Sequence, residues 1–223
     1  NHGAQNVFVV TDQGIRNAGL LDPVLRSLEE HGLKYAIFDK TVPDPSAESV
    51  MEGLDQLRRQ PHDHILALGG GSSIDTAKGI AIMAVNKGHI LDYEGVNKIP
   101  QPGLPVVVIP TTAGSGSEVT ASIIITNLQT SFKAAVISPY VFPRTALLDP
   151  ELTVKLPQEL TAATGMDALT HAIESYTSKT ATPFSRALED SMRSGNVLIN
   201  PRWTRPSDIE KIIRNAYEGN LSS

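Results

Sequence analysis

Four groups of residues in this 223-residue chain have the types and spacing to do chemistry. The first is Gly69, Gly70, Gly71, Ser72 and Ser73, set between the apolar run at residues 65–68 and Ile74, Ala77, Ala81 and Ile82 at helical spacing. Glycines let backbone come close to a ligand, and a helix start presents free N–H groups to an anion. Strand, glycine turn and helix therefore predict a phosphate site, with Ser72 or Ser73 as the helix cap. The run is neither GxGxxG nor a Walker A loop, and a ligand-free βα turn would use the same residues. The second group is Thr111, Thr112, Gly114, Ser115, Gly116 and Ser117, directly after a second apolar run at residues 104–109. Ligands of open α/β sheets bind beyond the carboxyl ends of the strands. Two such loops at one sheet end would suit a sugar–diphosphate.

The third group is scattered. Asp12 follows the first predicted strand, where a carboxylate could accept from ribose hydroxyls and repel a 2′-phosphate, or simply cap a helix. At about 4 Å that repulsion is roughly 1 to 4 kcal/mol per unit charge, from a fewfold to about a thousandfold in affinity. Asp39 reads as a turn residue, Asp44 shares the ambiguity of Asp12, and Lys133 could reach a ribose or stay solvated. The fourth group is Asp167 and His171, spaced i, i+4 and so on one helix face. A carboxylate and an imidazole suit Fe²⁺, Zn²⁺ or Mn²⁺, although two donors alone also describe an ordinary helix pair. His62 and His64 flank a strand start and read as core or solvated histidines. No Ser-His-Asp arrangement emerges.

These groups need a scaffold, and the patterning predicts one. Strands are expected at residues 6–11, 34–38, 65–68, 104–109, 121–126, 132–137 and 145–148. Helical spacing appears at residues 20–31, 47–60 and after the glycines, with a plain glycine-containing turn through Asp12 and Gly14. Alternating strands and helices predict a parallel sheet with right-handed crossovers. Residues 88–103, rich in Gly and Pro, read as a surface excursion. Beyond Leu156 the pattern is helical only, around Asp167 and again near residues 185–193 and 207–218, so a domain boundary is expected there.

Composition narrows the partners. With 40% hydrophobic and 19% charged residues the chain reads as globular, and a net charge of −5 favours neither nucleic acid nor an anionic membrane. There is no cysteine, which excludes disulfides and thiolate metal sites and suits a reducing cytoplasm. No apolar run approaches the roughly 20 residues of a membrane span, and no signal peptide is expected.

GGGSSIDTAK, PTTAGSGSEVT and GMDALTHAIESY, in that order, resemble the three main motifs of the iron-containing (group III) alcohol dehydrogenase family. VVTD, VPDP and NPRWTRPSDIEKII extend the similarity over nearly the whole chain. The resemblance implies α/β followed by all-α: a Rossmann-like dinucleotide-binding domain over residues 1–156 and a helical metal-binding domain over 157–223. It implies NAD contacts at Gly70, Gly71, Ser72, Ser73 and Asp75, with Thr111, Thr112, Gly114 and Thr120 along the cofactor. Lys133 would lie near the ribose, Asp12 at the NAD-selecting acidic position and Asp44 on the adenosine side. Asp167 and His171 would be the first two metal ligands and the catalytic pair, for Fe²⁺ with Zn²⁺ or Mn²⁺ as alternatives. The family's other two ligands are later histidines, yet no histidine follows His171, and an expected helical piece near residues 193–200 is missing from the sequence. The implied activity is NAD- and metal-dependent interconversion of a small alcohol and its aldehyde or ketone, in a cytoplasmic homodimer. A glycerol-dehydrogenase- or dehydroquinate-synthase-like enzyme and a non-catalytic nucleotide-binding module are the alternatives.

Overall fold

The structure, a computed structural model, describes residues 3–179. Five of the predicted strands form one parallel sheet: β1 (Asn6–Val10), β2 (Lys34–Phe38), β3 (His64–Gly69), β5 (Val106–Pro110) and β8 (Thr145–Ala146), in the order β2-β1-β3-β5-β8. A parallel sheet needs helices on both faces, and its central strands must then be apolar at every position. All six residues of β3 are buried. Phe8, Val10, Ile65, Ala67, Val106 and Val108 point to one face, where they share a core with α3 (Ala47–Leu57) and α4 (Gly71–Val85). Val7, Val9, Leu66, Leu68 and Ile109 point to the other, against Leu21 and Leu28 of α2 (Leu21–Glu30).

A smaller sheet orders β4 (Gly95–Val96), β7 (Phe132–Ile137) and β6 (Ser122–Asn127) side by side. β6 and β7 are the expected antiparallel pair, and Asn127 Oδ1 accepts from Gln129 N–H in their turn at 3.0 Å. Ile123, Ile125 and Val136 join the core on the α3–α4 face. β4 runs parallel to β7. It lies in the stretch expected to be a mere surface excursion. There Ile90, Tyr93 and Ile99 are buried, so a short 3-10 turn (Ile90–Tyr93) and a two-residue strand replace the predicted irregular loop.

Several boundaries differ from the sequence pattern. The turn after β1 holds a five-residue helix, α1 (Gln13–Asn17), because the Asp12 side chain accepts from Ile15 N–H and caps it. α3 ends at Leu57, and β8 pairs over two residues rather than four. The chain divides into two compact units after Leu156, and the described part of the second is α5 (Gln158–Thr177). The helical patterns near 185–193 and 207–218 lie outside the described residues. Among the described residues, no helix is long and apolar enough to cross a membrane.

Candidate functional site

Pairing of β3 with β5 sets Gly69 opposite Pro110, which brings the glycine turn and the Thr/Ser loop to one rim of the sheet. β1, in register with β3, delivers Asp12 to the same rim. Thr111 N–H donates to Gly69 O at 3.0 Å, and Thr11 Oγ1 donates to Leu68 O at 2.8 Å, so three strand ends are tied together. Gly69 has φ +150°, and a Cβ there would lie 2.5 Å from Ser73 Oγ; only glycine fits.

α4 begins at Gly71 with Gly70 as N-cap, and no side chain caps it. Its first helical bond is Ile74 N–H to Gly70 O at 3.1 Å, so the N–H groups of Gly71, Ser72 and Ser73 have no intrahelical acceptor. The expected serine cap is therefore absent. Ser73 is buried, and its hydroxyl donates to Asp12 Oδ2 at 3.0 Å; Ser72 stands half-exposed in the first turn. A Cβ on Gly71 would lie 2.9 Å from Ser115 Oγ, and one on Gly70 would lie 3.2 Å from Thr112 Cγ2. The second loop thus lies against the helix start, with half-exposed Thr112, Gly114 and Ser115 around it. Hydroxyls of the second loop and free N–H groups at the positive end of a 15-residue helix, brought together at glycines whose missing Cβ lets the loop come close, are donors suited to a diphosphate.

Asp12 is both a helix cap and a rim carboxylate: Oδ1 accepts from Ile15 N–H at 3.0 Å while Oδ2 accepts from Ser73. Asp44 and Lys133, 89 residues apart in sequence, meet as an exposed ion pair. Asp39 pairs with Arg16 on the surface. His62 sets its ring edge-on to Phe8, with centroids 5.1 Å apart, and His64 is buried with Nδ1 2.9 Å from Asp63.

Asp167 and His171 stand one turn apart on α5, about half exposed, with Oδ1 and Nε2 separated by 3.8 Å. That separation lets both atoms reach one ion at ordinary bond lengths of about 2.0 to 2.2 Å. The donor chemistry fits a divalent metal, and the donor count does not complete a site. Among the described residues, no group of three or more His, Cys, Asp or Glu could hold an ion.

Residues 1–150 match the family described as iron-containing alcohol dehydrogenase, and residues 161–194 match its C-terminal region. The chain belongs to the iron-containing alcohol dehydrogenase family. It is 44% identical over 216 residues to the NAD-dependent methanol dehydrogenase of Bacillus methanolicus, a match covering 96% of this chain and 57% of that protein. Its fold superposes on a crystal structure of 1,3-propanediol oxidoreductase with TM-score 0.79 and 43% identity, over 83% of this chain and 48% of that one. Sulfoacetaldehyde reductase from Bifidobacterium kashiwanohense, solved in complex with NAD⁺, superposes with TM-score 0.75 and 35% identity, over 81% of this chain and 48% of that one. The chain spans about half the length of the relatives it matches.

Two members of the family's first motif, Asp75 and Lys78, hydrogen-bond to the segment that leads into and opens β6. Asp75 is 6% exposed, and its Oδ2 accepts from Ile124 N–H at 2.9 Å. Burial pushes its carboxyl above the ordinary range, opposed by that hydrogen bond and by the Lys78 charge. Lys78, which sequence reasoning did not single out, is wholly buried. Its Nζ donates to Thr120 O at 3.1 Å, Thr120 Oγ1 at 3.4 Å and Ser122 O at 3.1 Å. Burial lowers its amine to about 8, with Asp75 and Glu118 acting in the opposite direction. A lysine between Ala77 and Gly79, just before the apolar run at residues 80–85, was the available signal.

Proposed function

We propose that this chain carries the dinucleotide-binding part and two metal ligands of an NAD-dependent, divalent-metal-dependent alcohol dehydrogenase, which interconverts a small alcohol and its aldehyde or ketone. The observation that carries this reading is the convergence of two glycine- and hydroxyl-lined loops on the uncapped start of α4. The N–H groups of Gly71, Ser72 and Ser73 hold the pyrophosphate, with Gly70 leaving room for it. Thr111, Thr112, Gly114 and Thr120 run along the cofactor. Asp12, oriented by Ile15 and Ser73, accepts from the ribose hydroxyls and repels a 2′-phosphate. Asp44 and Lys133 flank the adenosine side. Asp167 and His171 take two positions on the metal, Fe²⁺ by family and Zn²⁺ or Mn²⁺ by donor chemistry. When bound, NAD supplies the hydride acceptor and the metal a Lewis acid for the substrate oxygen. The proposal includes a cytoplasmic setting, supported by the absence of cysteine, and a homodimer, which rests on the family resemblance alone.

Titrations of the chain with NADH and NADPH, read by nicotinamide fluorescence, test the reading. Saturable NADH binding is expected, about tenfold or more tighter than NADPH, with the gap narrowing in Asp12→Asn. No saturable binding of either nucleotide overturns it.

A further inference from the structure

Among the described residues β6 is an edge strand: β7 pairs with one side of it, and along the other the backbone pairing is a single parallel bridge between Ser46 and Thr126. On that open side, backbone groups of alternate residues point outward. They are not left to water. Thr120 O and Ser122 O accept from Lys78 Nζ, Ile124 N–H donates to Asp75 Oδ2, and Thr126 N–H donates to Pro45 O at 2.8 Å. Two side chains one turn apart on α4 thus stand where a partner strand would be. Burying an ammonium and a carboxylate 4.0 Å apart is costly unless the hydrogen bonds they make are needed. Lys78 has three N–H donors and three acceptors within 3.4 Å, all on this one segment.

The segment they hold is the end of the loop that lies over the glycine turn. Thr120 closes residues 111–120, whose Ser115 and Ser117 approach Gly71. We propose that Asp75 and Lys78 are positioning residues: a two-point side-chain clamp that replaces a strand along β6 and so fixes the second loop against the start of α4, pre-shaping the pyrophosphate cradle. This rests on the dinucleotide reading above, and it assigns to Asp75 a role through backbone rather than a cofactor contact. Lys78 also lines a cavity of about 250 Å³ with Ala81, Gly103, Tyr140 and Arg144.

The test compares the 223-residue chain with Lys78→Met, which keeps the apolar stem and removes all donors, and Lys78→Arg, which restores charge and donors. Hydrogen exchange by mass spectrometry and NADH titration are the two readouts. In Lys78→Met, amides of residues 111–124 are expected to exchange about tenfold faster or more while those of β1, β2 and α2 keep their rates, and NADH binds about tenfold more weakly or worse. Lys78→Arg is expected to recover both. Unchanged loop exchange in Lys78→Met overturns the clamp, as does faster exchange throughout the unit or a Lys78→Arg variant no better than Lys78→Met. Faster loop exchange with undiminished NADH affinity overturns the positioning role and leaves the dinucleotide reading standing. Absence of NADH binding by the unaltered chain overturns both.

Discussion

Adding one methyl group at Gly71 separates a phosphate cradle from an ordinary tight turn. Gly71 opens α4 with a φ that is not positive, so alanine is accommodated by the backbone and favours the helix by up to about 1 kcal/mol. The obstacle is contact: the new Cβ would lie 2.9 Å from Ser115 Oγ, 3.0 Å from Ser115 Cβ and 3.3 Å from Ser117 Oγ. Crowding of this kind costs about 1 to 3 kcal/mol, so Gly71→Ala is expected to lose between about zero and 2 kcal/mol of stability overall. Its effect on binding is larger in proportion. Ser115 and Ser117 must retreat from the helix start, and the added methyl occupies the space beside the free N–H groups. NADH affinity is expected to fall by roughly 5- to 150-fold, the equivalent of about 1 to 3 kcal/mol. NADH titration measures this, with urea unfolding of the same samples as control. The companion variant Gly71→Ala/Ser115→Gly removes the two closest contacts and should return the stability. Affinity within about twofold of the unaltered chain in Gly71→Ala would refute the cradle.

Two further outcomes follow from the charged residues. Lys78 ionises near 8 in the fold against 10.5 when unfolded, so between those values the unfolded chain binds more protons and stability rises with pH. The cost of burying the charge, about 3 kcal/mol, is fully present below pH 8 and fades towards 10.5. Asp75 and Glu118 lie near enough to favour the charged amine, and Arg144 and Tyr140 line the cavity beside it. Urea unfolding at about pH 7 and about pH 9.5 should therefore shift in favour of the unaltered chain relative to Lys78→Met; a constant difference contradicts the burial argument. Asp167→Ala, at a half-exposed position, is expected to change stability by less than about 0.5 kcal/mol while weakening the binding of added Zn²⁺, measured by calorimetric titration, about tenfold or more. Zn²⁺ affinity equal to that of the unaltered chain would remove Asp167 from the ligand set.

Much of this was legible in the sequence for a physical reason. Strands buried on both faces must be apolar throughout, so β3 and β5 declared themselves, and a glycine run after such a strand marks backbone that something approaches closely. What stayed hidden depends on distant partners. Ser73 looks like a cap, but its hydroxyl goes to Asp12, 61 residues earlier. Asp44 and Lys133 look like separate ribose contacts, and they face each other across 89 residues. Residues 88–103 carry loop composition, yet Ile90, Tyr93 and Ile99 anchor them in the core. Asp75 shows the limit most plainly: local sequence puts it beside the phosphate turn, while i+3 geometry rotates it to the β6 edge with Lys78.

The ten residues from Gly69 to Lys78 therefore do three kinds of work across the end of β3 and the first two turns of α4. Gly69, Gly70 and Gly71 remove the side chains that would fill the space over the sheet rim. Ser73 reaches back to β1 and holds the Asp12 carboxylate, linking the charge at the rim to the helix that offers the N–H groups. Asp75 and Lys78 reach forward to β6 and hold the loop that closes the cradle. These three directions are spaced at two and three residues, which is what a helix requires to aim side chains at different neighbours. A deletion or insertion between Gly71 and Lys78 would rotate the later residues by about 100° each and break the link to β6 while leaving the glycines intact. The spacing of this stretch, as much as its glycine content, is what ties its residues to a single site.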